Sequence, residues 1–99
     1  MVVKCKINGV TYKLKVLMNK KAKLEGLKSY SILQENEGVI FIYKTDTASS
    51  FDFSEIRFNC RIYFLDSQFD LIHKESTKPY QTKLITCHKP FRYVIEIGA

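Results

Sequence analysis

The chain has 99 residues, 45% of them hydrophobic and 26% charged, with a formal charge of +6. That length suits one domain, 1–99, with one thin core, and apolar residues spread along all of it exclude a disordered chain. No apolar run approaches the roughly 20 residues that span a bilayer, so no membrane partner is expected.

The N-terminus alternates Val and Lys and lacks the apolar stretch of a signal peptide. The expectation is a cytoplasmic product, or a mature chain freed of its signal. The excess charge is confined to the first third. Residues 1–28 hold Lys4, Lys6, Lys13, Lys15, Lys20, Lys21, Lys23 and Lys28 against Glu25 alone. A basic face of this kind attracts an acidic protein surface or a polyanion. It is also how edge strands are kept apart in solution. Lys4, Lys6, Lys13, Lys15, Lys20, Lys21 and Lys23 are therefore the candidate interface.

Asn8-Gly9 sits between two alternating runs, 2–7 and 10–18, and predicts a tight hairpin. Val3, Cys5 and Ile7 fall on one face of the first strand. Val10, Tyr12, Leu14, Val16 and Met18 fall on one face of the second, with lysines on the reverse. Asn19 reads as the N-cap of a short helix over about 20–28, with Leu24 and Leu27 spaced to dock on the sheet. Gly26 inside it weakens that helix by about 1 kcal/mol relative to Ala. A polar turn follows at 34–38, then further strands between 39 and 97: 39–43, 50–53, 58–65, 69–74, 84–87 and 92–97. Asp66-Ser67-Gln68 reads as a turn, and Pro79 and Pro90 mark breaks. The expected fold is mainly β (α+β): a small antiparallel β-barrel or half-open barrel of about seven or eight short strands with one short helix.

Four segments carry a further signal. They are Leu24-Glu25-Gly26-Leu27-Lys28; Gly38-Val39-Ile40-Phe41; Ser50 to Ile56 running into Asn59-Cys60-Arg61-Ile62-Tyr63-Phe64-Leu65-Asp66; and Cys87 before Arg92-Tyr93-Val94-Ile95-Glu96-Ile97. Their order resembles the bacterial and archaeal family called domain of unknown function 192, from about Ala22 to Ala99. Members of that family show Arg-Gly-Leu-Met and Gly-Met-Leu-Phe. They then show Phe-Trp-Met-x-Asn-Thr running into Pro-Leu-Asp, and a Cys before Arg-Tyr-Val-Leu-Glu.

Gly26, Leu27, Gly38, Phe41, Phe51, Phe64, Asp66, Cys87, Tyr93 and Glu96 are kept, and most read as packing or turn positions. The distinctive polar positions differ. The family's Trp-Met is Asp52-Phe53, its Asn-Thr is Glu55-Ile56, its Pro-Leu-Asp is Asn59-Cys60-Arg61, and its Arg before Gly26 is Glu25. The resemblance thus implies a degenerate family site at Glu25, Asp52, Glu55 and Arg61. The two charge reversals imply a compensating ion pair between Glu25 and Arg61. Members usually continue past Ala-Gly, so the end at Gly98-Ala99 implies a last strand left as an open edge.

Chemistry is sparse. Cys5, Cys60 and Cys87 are odd in number and widely spaced, which predicts free thiols, mostly buried. His73 is read as a surface strand residue beside solvent and Lys74, and His88 as a turn residue. No phosphate loop, dinucleotide fingerprint or metal motif is present, so no enzyme activity and no cofactor is expected. The function read first is a non-catalytic structural or interaction module docking on a protein partner in a larger assembly. Lys-, Asn- and Ile-rich usage in a pared-down domain resembles phage and virus proteins, so capsid, collar or tail fittings in a virion are one setting. The alternative is a small-molecule or glycan binding domain, or a degenerate enzyme. Nucleic acid ranks third, because the lysine-rich third holds Tyr12 as its one aromatic before Tyr30.

Overall fold

The Asn8-Gly9 turn forms as its chemistry requires. In the computed structural model the two residues take φ of 50° and 81°, and β1 (Val2–Ile7) folds back on β2 (Val10–Leu17). Residues 1–30 and 32–99 are described. The side chains of Lys20 and Leu24 lie outside the described residues, and so does the expected docking of Leu24. A Cβ on Gly9 meets nothing within 4 Å, so only its left-handed backbone resists substitution. Gly9→Ala is expected to cost about 1 kcal/mol, read as a lower urea midpoint at unchanged slope.

Helix α1 (Lys20–Glu25) starts at Asn19, whose side-chain oxygen accepts the Ala22 N–H at 2.7 Å. It ends sooner than the expected 28. Gly26 takes a positive φ of 47° and donates its N–H to the Ala22 carbonyl at 3.0 Å. That reversal drops Leu27 into the core, 1% exposed.

Four strands complete the sheet: β3 (Glu37–Thr47), β4 (Cys60–Leu65), β5 (Leu71–Thr77) and β6 (Phe91–Gly98). Their order is β1-β2-β3-β6-β4-β5. The fold is mainly β with one short helix and a sheet left open, as expected. Among the described residues it has six strands rather than seven or eight, and it is mixed rather than wholly antiparallel, because β2 and β3 run parallel. Parallel neighbours need a crossover, and residues 18–36 with α1 supply it.

The expected strands at 50–53 and 84–87 contract to a single bridge, Phe51 to Ile85, bonded both ways at 2.9 Å. Asp52 accepts the Ser54 N–H and turns the chain. Phe51, Phe53, Ile56 and Ile85 are then buried as a plug on one sheet face instead of extending a ladder. The last strand is also not an edge: β6 pairs with β3 on one side and β4 on the other.

Alternation gives the sheet two cores. Val39, Phe41, Cys60, Ile62, Phe64 and Val94 face the helix and the plug. Tyr12, Leu14, Ile40, Tyr63, Leu65, Ile95 and Ile97 face the other way, into the second cluster.

Candidate functional site

The site follows from one break in that alternation. Val94 and Glu96 share the helix-side face of β6, and Ile95 and Ile97 the opposite face. Glu96 therefore points among apolar side chains and is 3% exposed. It lines a cleft of about 490 Å³ whose walls include Gly26, Phe41, Tyr43, Phe51 and Phe53. Among the described residues no side chain or backbone group forms a hydrogen bond or ion pair with its carboxylate. Burial pushes its pKa up to about 8.

Its neighbours register the charge. Tyr43 is raised to about 12, by burial first and by Glu96 second. Cys60, on the adjacent strand, is raised to about 12 for the same two causes in the same order. Gly26 stands close enough that a Cβ there would lie 3.8 Å from Glu96 Oε1 and 3.3 Å from Phe41 Cζ. The glycine keeps that side of the cleft open.

The rim carries both signs. Lys28 is engaged with Glu55 at 3.3 Å, and Lys23 lays its ammonium 3.9 Å from the Tyr43 ring centroid. Glu25 and Asp52 line the same cleft and form no ion pair among the described residues. The Ser54 backbone N–H, then its hydroxyl, hold the Asp52 carboxyl below its ordinary value, against slight desolvation and with Lys28 contributing. With both rim lysines already in contact with partners, the cleft presents three carboxyl groups over aromatic walls.

Only part of the candidate family site converges here. Glu25 and Asp52 lie in the cleft, and Glu55 is at its margin, tied to Lys28. Arg61 is elsewhere. It alternates with Cys60 and Ile62 on β4, so it takes the opposite sheet face and pairs with Ser76 and Ile97. It borders a separate depression with Asn8, Tyr63 and Lys74. The expected Glu25–Arg61 ion pair is therefore absent, because a one-residue step along a strand reverses the face. Glu96 was legible only as an acid inside the apolar run Tyr93-Val94-Ile95-Glu96-Ile97, and that was the available signal.

Of the candidate interface, Lys4, Lys6, Lys13, Lys15 and Lys21 are exposed and Lys23 is half-buried over Tyr43; Lys20's side chain is outside the described residues. Cys60 is buried, and Cys5 and Cys87 are half-buried, all three as free thiols. His73 is not simply solvated. Its Nε2 lies 3.0 Å from Glu75 Oε2, its ring stacks on Phe64 at 5.9 Å, and it meets His88 edge-on at 5.7 Å. No group of three metal-ligating side chains occurs among the described residues.

Among the described residues, six strands in one open mixed sheet, with an apolar cluster on each face and an acid-floored cleft on the helix side, define a mainly β domain. The chain belongs to the family domain of unknown function 192 (DUF192, described as uncharacterized ACR), whose profile matches residues 3–99. Two solved structures are similar to it. One is a protein of unknown function from Novosphingobium aromaticivorans DSM 12444, with a TM-score of 0.84 and 17% identity, covering 99% of this chain and 72% of that one. The other, described as a candidate transcription regulator, is from Sinorhizobium meliloti 1021, with a TM-score of 0.82 and 18% identity, covering 99% and 78%. At those identities the likeness establishes the fold alone. No curated protein matches the sequence.

Proposed function

We propose that this domain is a non-catalytic binding module whose cleft accepts a compact organic cation, an ammonium or guanidinium group on an apolar stem. The observation that carries this reading is the Glu96 carboxyl, buried at the cleft floor with no hydrogen bond or ion pair to another of the described residues. A buried polar group left unpaired is costly, and a ligand cation supplies the missing partner. Aromatic walls favour the same chemistry, and Lys23 over Tyr43 is an ammonium the protein already places at such a ring. An anion would meet Glu25, Asp52 and Glu96, while the two lysines of the rim are already engaged with Glu55 and Tyr43.

The binding carries a pH signature. A cation prefers ionised Glu96, and at a pKa of about 8 the ionised fraction rises from about a tenth at pH 7 to about nine-tenths at pH 9. Calorimetric titration with butylammonium or butylguanidinium is expected to show affinity rising about tenfold over that range, with proton release at pH 7. Glu96→Gln removes that pH dependence. Equal binding of butyrate, or an unchanged Glu96→Gln titration, would defeat the reading.

A second reading is the docking module of a larger assembly, such as a particle fitting. It is favoured by the two sheet edges, β1 and β5, that pair with no further strand among the described residues. Co-sedimentation with a large particle at fixed stoichiometry after a high-salt wash tests it.

A further inference from the structure

We propose that the free edge of β1 docks an extended segment of a partner protein in which acidic and apolar residues alternate. This site is separate from the Glu96 cleft. It rests first on the direction of backbone groups. The Val16 N–H donates to the Met1 carbonyl at 2.9 Å, which makes Met1 and Val16 a bonded pair. Bonded and non-bonded pairs alternate along an antiparallel ladder. Val3, Cys5 and Ile7 therefore bond to β2, and the N–H and C=O groups of Val2, Lys4 and Lys6 point outward, where no strand pairs.

The side chains then specify the partner. Lys4 and Lys6 are exposed on one face, beside Lys13 and Lys15 of β2. Lys4 stands directly opposite Lys13. That is a non-bonded pair, in which side chains are closer, and like charges there repel. A strand laid on β1 projects alternate residues onto this face, and carboxylates in those positions relieve the repulsion.

Its remaining residues project to the other face. There Cys5 and Ile7 border a groove of about 280 Å³ whose lining also includes Leu65, Phe69, Leu71 and Ile95. Phe69 and Leu71 are 42% and 54% exposed, so apolar side chains of the guest have surface to cover. A second copy does not suit the edge, since β1 against β1 opposes lysine with lysine. A nucleic acid would meet the charge but leave the outward N–H groups unpaired.

The test uses the full chain, isotope-labelled, with capped peptides of about eight residues. The probes are a Glu-Val alternating peptide, a Lys-Val alternating peptide, a scrambled Glu-Val composition and an oligothymidylate. The Glu-Val alternating peptide is expected to slow exchange of the Val2, Lys4 and Lys6 amides at least tenfold, with little change at Cys5 and Ile7. Binding should weaken with salt, and the double variant Lys4→Glu, Lys6→Glu should prefer the Lys-Val peptide. The proposal is overturned if those amides gain no protection, if the scrambled peptide protects them equally, or if the oligothymidylate binds as tightly as the peptide.

Discussion

Glu96→Gln is expected to match the wild type in stability near pH 4 and to exceed it increasingly as the pH rises to 8. Unfolded, Glu96 loses its proton around the ordinary 4.5; folded, burial holds the proton until about 8. Between those values the native state binds more protons than the unfolded state, so native stability falls as pH rises. The contribution is complete below 4.5 and is lost as pH climbs through 8. The slope approaches about 1.4 kcal/mol per pH unit inside that window. Glutamine has the shape of the protonated acid and does not titrate, so the two curves diverge by several kcal/mol at pH 8. In a domain of this size each kcal/mol moves the melting midpoint by roughly 4–8 °C. Melting both proteins from pH 4 to 9 measures the divergence directly. Parallel curves would mean that water satisfies the carboxylate in place, and the cleft would then lack its reason to bind a cation.

The same residue explains where sequence reading stopped. The hairpin, the Asn19 cap, the Asp66 turn and the mainly β class were legible because each rests on neighbours within a few residues. Asn8 and Gly9 meet the turn's demand locally, and Asp66 Oδ1 accepts the Gln68 and Asp70 N–H groups within its own loop. Sheet order is a long-range property, and β6 lying between β3 and β4 could not be read from its own residues. The plug shows the competing force. Phe51 and Phe53 alternate like a strand, yet with Asp52 turning the chain their rings gain more from the core than from a ladder, and Phe51 packs edge-on to Phe41 at 5.4 Å. Charge reversal alone points to a Glu25–Arg61 pair, and strand alternation separates the two. Glu96 was read with the packing positions because an acid in an apolar strand declares its role only once its surroundings are known.

Gly38→Ala is expected to be far more damaging than Gly9→Ala, although both add one methyl group. Gly38 belongs to β3, not to the turn that precedes it, and sits between Leu14 of β2 and Ile97 of β6. A Cβ there would run into the Glu96 carbonyl oxygen, and would stand 2.7 Å from Ile97 Cγ2 and 3.1 Å from Leu14 Cδ2. The first obstacle is backbone in the middle of the sheet, so no side-chain rotation clears it. Relief requires β3 and β6 to move apart beside the parallel pair β2–β3. The expected loss is about 3 kcal/mol or more, read by urea unfolding. Gly98→Ala is the control, since its Cβ would meet only Leu33, at 3.5 Å, and it should cost far less. Equal losses at positions 38 and 98 would refute the close approach. Because the obstructing carbonyl is Glu96's own, Gly38→Ala should also shift the titration of the Glu96 carboxyl, which carbon-detected NMR of the labelled side chain would follow.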